Sequence, residues 1–126
     1  MPRVSKESAD ETNDYGAVLE RTSELDDHTV NFVTFRENSD ITEVLASLSE
    51  KKCICPHWGL LFSGRMHVEY DDGRKDVINA GDAFFAPAGH TVWKAEAGTE
   101  MLMFSPTDLL NEVDTAIKAV MQERLS

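Results

Sequence analysis

The sequence predicts an all-β domain of antiparallel strands, and three observations carry that prediction. Between His57 and Phe104, short runs rich in β-branched and aromatic residues follow one another with turn signals roughly every 8–12 positions. The turns bear glycine: Gly64, Asp71-Asp72-Gly73, Asn79-Ala80-Gly81-Asp82 and Pro87-Ala88-Gly89. Within one run Met66, Val68 and Tyr70 alternate with Arg65, His67 and Glu69, the period-2 pattern of a strand with one buried face. Many short strands of this kind bury their apolar faces by closing into a sandwich or a barrel.

Taken in chain order, residues 1–15 lack periodicity and are rich in Ser, Asp, Glu and Asn, which predicts a flexible tail. Residues 16–126 then form a single domain, with a barrel core over about 30–105. His28, after Asp26-Asp27, reads as exposed loop, and Val30 to Phe35 as the first strand. Asp40 with Glu43 three positions later, ahead of Val44, Leu45 and Leu48, is a capping box and predicts a short helix before the barrel, ending near Ser49. His57–Ser63, the run around Met66 to Tyr70, Lys75–Ile78, Ala83–Ala86, Thr91–Ala95 and Glu100–Phe104 are the remaining strands.

The last twenty residues switch period. Ser105-Pro106-Thr107-Asp108 reads as a helix start, with hydroxyl and carboxylate groups at the positive end of the dipole. Leu109, Leu110, Val113, Ile117, Val120, Met121 and Leu125 share one face at 3.6 spacing, so a C-terminal amphipathic helix is expected over about 107–124. It would cover the sheet or meet a second subunit.

Charge narrows the partners. Among 126 residues 23 are acidic and 12 basic, a net charge of −11. Such a surface repels phosphate backbones and anionic lipid, so neither nucleic acid nor a membrane surface is an expected partner. No apolar run approaches the ~20 residues of a spanning helix, and no leader is visible in the polar N-terminus. The expectation is a cytoplasmic protein in which Cys53 and Cys55, too close in sequence to bridge each other well, stay reduced.

Gly81-Asp82-Ala83-Phe84-Phe85-Ala86-Pro87-Ala88-Gly89-His90 has the spacing G-x5-P-x-G with a histidine directly after. It resembles the second sequence motif of the cupin superfamily, and Gly64 with the hairpin to Gly73 looks like the end of the first. The resemblance covers about residues 50–106 and implies a jelly-roll β-barrel. The His-Trp-Gly run at 57–59, Gly81-Asp82-Ala83-Phe84, Pro87-Ala88-Gly89-His90 and Ser105-Pro106-Thr107 also resemble a group of small bacterial cupin-domain proteins.

In the superfamily two histidines and a glutamate of the first motif, with a histidine of the second, usually hold a divalent metal. This sequence departs from that set. Counting back from Gly64 places His57 where the glutamate stands, Cys53 or Lys52 at the second histidine, and a position near Lys51 at the first. The ligand position of the second motif falls on Val92, while His90 lies two residues earlier.

The residues themselves suggest a different donor set. Cys53, Cys55 and His57 alternate and would share one strand face, and His90 has the parity of Val92. Two thiolates and two imidazoles suit zinc first, with nickel, copper or iron as alternatives. The metal expectation therefore rests on His57, His90, Cys55 and Cys53. Against it stands a barrel lined by buried thiols with His57 hydrogen-bonded in place.

Inward neighbours of His57 are expected to be Gly59, Leu61 and Ser63, with Phe85 and Val92 from adjoining strands. None of these is a good general acid or base, which keeps open a non-catalytic domain that binds or senses a small molecule without metal. Redox sensing by Cys53 and Cys55 is a third reading. Trp58, Leu60 and Phe62 on the opposite face, with the C-terminal helix, predict a homodimer.

Overall fold

A hairpin opens the barrel. In the computed structural model β2 (Val18–Leu25) pairs antiparallel with β3 (His28–Phe35), and the two residues between them, Asp26 and Asp27, both have positive φ (49° and 62°). Two consecutive left-handed residues match the right-handed twist of the flanking strands, and Asp is among the few side chains that enter that region. The structure describes residues 2–40, 56–70, 72–87 and 92–108, with the backbone alone at 92 and 93.

Among the described residues ten strands form two sheets. The larger has the order β1-β2-β3-β10-β5-β8, adding β1 (Glu11–Asp14), β10 (Glu100–Pro106), β5 (His57–Ser63) and β8 (Ala83–Ala86). The smaller has the order β4-β9-β6-β7, made of β4 (Ser39–Asp40), β9 (Val92–Ala95), β6 (Arg65–Glu69) and β7 (Lys75–Asn79). All pairings are antiparallel.

Period-2 alternation sends one set of side chains between the sheets. Val18, Val33, Phe35, Leu61, Met101 and Met103 from the large sheet meet Met66, Val68, Ile78 and Ala95 from the small one, all buried. The turn from β5 to β6 needs Gly64: its φ is +83°, and a Cβ there would stand 2.5 Å from the Cα of Thr99. Thr99 is itself fully buried, and its hydroxyl accepts from the Arg65 amide (3.0 Å) and donates to the Arg65 carbonyl (3.1 Å), which ties the two sheets at this corner.

The strands expected at His57–Ser63 and Ala83–Ala86 have those bounds, and Met66 and Val68 are core as expected. Four expectations need correction. The barrel begins before Val30: β2 was hidden by its mixed polar sequence, and its turn lacks the glycine that marks the later ones. His28 is the first residue of β3 rather than loop, and its ring meets the Trp58 indole edge-on with centroids 6.4 Å apart. Residues 1–15, expected as a tail, include β1, and the segment before it is bonded to the sheet by Lys6 to Glu100 (2.6 Å) and by the Asp10 amide to Ser23 Oγ (2.8 Å). Phe85 does not face inward. The register pairs His57 with Ala86 and Gly59 with Phe84, so Phe84 and Ala86 take the inner side and Phe85 is half-exposed outside.

The two helices fall largely outside the described residues. Of the short one only Asp40 is described, in β4 opposite Lys94. Of the C-terminal one only Thr107 and Asp108 are described, in a helical turn that follows β10.

Candidate functional site

β5 follows Pro56 and starts with His57, whose side chain enters the space between the sheets and is 5% exposed. On one side the β10 register, with Phe104 opposite Trp58, brings Ser105 alongside. His57 Nδ1 and Ser105 Oγ lie 2.7 Å apart, and both residues are buried. In the tautomer protonated at Nδ1 the ring donates to the hydroxyl, which fixes the orientation of the imidazole. On the other side stands Ala86, small and 1% exposed, at the end of β8.

The rest of the inner face is graded. Next to the His57–Ser105 row comes Gly59–Met103–Asn31–Thr22, read across β5, β10, β3 and β2, and then Leu61–Met101–Val33–Glu20. Gly59 is required by its neighbours, because a Cβ would press on the Leu102 carbonyl and stand 2.5 Å from Cζ of Phe84. The Phe84 ring therefore lies across the strand beside His57. Beyond Ser105, Thr29 and Thr107 are joined through their hydroxyls at 3.0 Å. One end of the inner face is thus polar and the other apolar.

Asn31 stands at the boundary. It is 9% exposed, and its Oδ1 is buried without a hydrogen-bond partner. An orphaned buried acceptor costs about 1–3 kcal/mol, so native folds keep few of them.

Of the expected metal ligands the structure describes His57 alone. Cys53, Cys55 and His90 lie outside the described residues, and among those described no three His, Cys, Asp or Glu side chains are grouped to hold an ion. Two described boundaries bear on them: Cys55 directly precedes Pro56 and His57, and β8 ends at Ala86, four residues before His90 in the sequence and opposite His57 in register. His67 is on the outer side of the small sheet, with Nε2 3.1 Å from a Glu96 carboxylate oxygen, as its parity with Arg65 and Glu69 predicts.

Ser105, Asn31 and Phe84 escaped the reading of the sequence. With a proline after it Ser105 reads as a helix start, although Met101, Met103 and Ser105 continue one alternation. Asn31 continues the alternation Thr29, Val33, Phe35 in the same way. Phe85 is expected inside in place of Phe84 because Ala83–Ala86 is apolar on both sides, and only pairing with β5 sets the parity.

The outer face of the large sheet also carries aromatic side chains. Phe85, Trp58 and Phe104 are cross-strand neighbours at 50%, 44% and 37% exposure. An open groove of about 450 Å³ adjoins two of them, lined by Leu25, Asp26, His28, Trp58 and Phe104. Among the described residues no helix is long and apolar enough to cross a membrane.

No protein-family model and no curated protein matches the sequence. Solved structures do match in shape. An RmlC-like cupin from Shewanella frigidimarina superposes with a TM-score of 0.54 at 19% identity, over 76% of this chain and 83% of its own. The polyketide cyclase RemF from Streptomyces resistomycificus gives 0.58 at 15% identity, over 85% and 80%. A variant of the oxalate decarboxylase of Bacillus subtilis gives 0.58 at 14% identity, over 82% of this chain and 28% of the enzyme. These superpositions over most of the chain, on two antiparallel sheets, mean that it has the cupin fold.

Proposed function

We propose that this cupin-fold protein binds a divalent metal ion in its barrel, zinc before nickel, copper or iron, and takes up a small molecule beside it. The observation that carries the reading is the buried pair of His57 and Ser105. Metal-ligating histidines commonly have one ring nitrogen on the metal and the other hydrogen-bonded to a neighbour that sets the tautomer. Ser105 supplies such a neighbour at Nδ1. Cys55, Cys53 and His90 are the further donors of the proposed set, and thiolate with imidazole favours zinc. When bound, the ion would supply a Lewis acid to a ligand oxygen. His57 would hold it, Ser105 would keep the ring in place, and the Phe84 ring would wall the neighbouring space.

The proposed setting is the cytoplasm, where the two cysteines remain thiols. The proposed assembly is a homodimer seated on the outer aromatic row of β8, β5 and β10. A second reading, uptake of a small molecule without metal, draws on the apolar half of the inner face and on Asn31.

Elemental analysis of tag-free protein, beside the His57→Ala variant, tests the metal reading. Near-stoichiometric metal in the native protein that is lost in the variant is the expected result. A native protein that stays empty after incubation with zinc, nickel, copper and iron salts overturns it and leaves the metal-free reading.

A further inference from the structure

We infer that the Asn31 amide is the hydrogen-bond anchor for a small uncharged organic ligand, one carrying an O–H or N–H donor on an apolar body. The inference rests on the small-molecule part of the proposed function, not on the metal. Its starting point is the buried Oδ1 of Asn31, which faces the interior from β3 between Met103 and Thr22 and has no partner. An acceptor kept in that state is satisfied when a donor enters from outside the fold. The other polar groups of this end are already engaged: His57 with Ser105, and Thr29 with Thr107. Asn31 is therefore the position left to read an incoming donor.

Its surroundings define the rest of the molecule. Met103 is its direct cross-strand neighbour, and Phe84 lies across Gly59 on the far side of Met103, so a donor that reaches the acceptor meets thioether and ring. Among the described residues no Lys or Arg occupies an inner position of the large sheet, while Glu20 does. A carboxylate or phosphate there would meet no cationic side chain of the large sheet, which selects against anions. A neutral molecule with one donor and an apolar body meets both conditions.

Phenol and anisole are the test pair, since they share a ring and differ in that methylation removes the donor. Binding is followed by chemical-shift titration of the native protein, with metal content measured on the same sample. Phenol is expected to bind at least about tenfold more tightly than anisole, the effect of one buried hydrogen bond to an otherwise unpaired acceptor. Asn31→Leu, close in shape and without the acceptor, is expected to abolish the preference and to raise the melting temperature of the unliganded protein by about 4 °C. Equal affinity for the two compounds in the native protein overturns the anchor while leaving a binding space in place. Binding of neither overturns the small-molecule reading and the anchor with it, whatever the metal content. A fall in melting temperature on Asn31→Leu, with the phenol preference retained, shows that Asn31 serves the fold and overturns the inference.

Discussion

β5 shows two faces of one strand, of which the more apolar is the more exposed. His57 and Leu61 look inward and are 5% and 0% exposed, whereas Trp58 and Phe62 look outward at 44% and 51%. Hydrophobicity does not separate the two sets, since the outer one carries the larger apolar side chains. What separates them is the presence of a facing sheet. Met66, Val68, Ala95 and Ile78 close over the inner side, while the described chain leaves Phe85, Trp58 and Phe104 in solvent. A polar histidine can therefore be core, hydrogen-bonded in place, while the tryptophan next to it in the chain is surface.

The largest expected effect breaks the inner side. Leu61→Ala empties a fully buried position and should cost about 3 kcal/mol, whereas Phe62→Ala next to it should cost below about 0.5 kcal/mol. Urea denaturation of the two variants measures the contrast, and equal losses would mean that the outer face is covered in solution. A smaller effect concerns the outer row itself. Trp58→Ser should change stability by less than about 1 kcal/mol but shift sedimentation from dimer to monomer at micromolar concentration. Native protein sedimenting only as a 14.1 kDa species would remove the dimer from the account.

The smallest effect belongs to the ion pair on that face. Lys6 Nζ lies 2.6 Å from Glu100 Oε1, and this hydrogen bond above all holds the Glu100 carboxyl below its ordinary value, with lesser help from Thr34. A carboxyl whose pKa is depressed on folding contributes stability above its ordinary pKa of 4.5, and loses it as pH falls through the folded value. Both side chains are more than a third exposed, so screening keeps the pair to roughly 0.5 kcal/mol or less. Melting curves of native and Lys6→Ala protein should differ slightly at pH 7 and converge towards pH 3; a gap that widens on acidification would refute the assignment.

Much of the fold was legible because the relevant signals are local. Glycine-bearing turns and period-2 alternation placed β5, β6 and β8, since both depend on the conformational limits of a few adjacent residues. Where local signals were weak the reading failed, as at β2, whose polar residues and Asp26-Asp27 turn carried no distinctive mark. The candidate site was legible in part for the same reason. His57 announced itself by residue type and strand parity, but Ser105 reaches it from 48 positions away.

Composition and spacing thus settle how many strands the middle of the chain can make and which residues of each share a side, because the backbone alternates whatever it packs against. They do not settle which side is the interior. The choice of Phe84 over Phe85, the pairing of Ser105 with His57 and the unpartnered amide of Asn31 all follow from register between strands distant in sequence. Register is decided by the joint burial of two sheets, and a one-residue slip in any strand would exchange its two faces entirely.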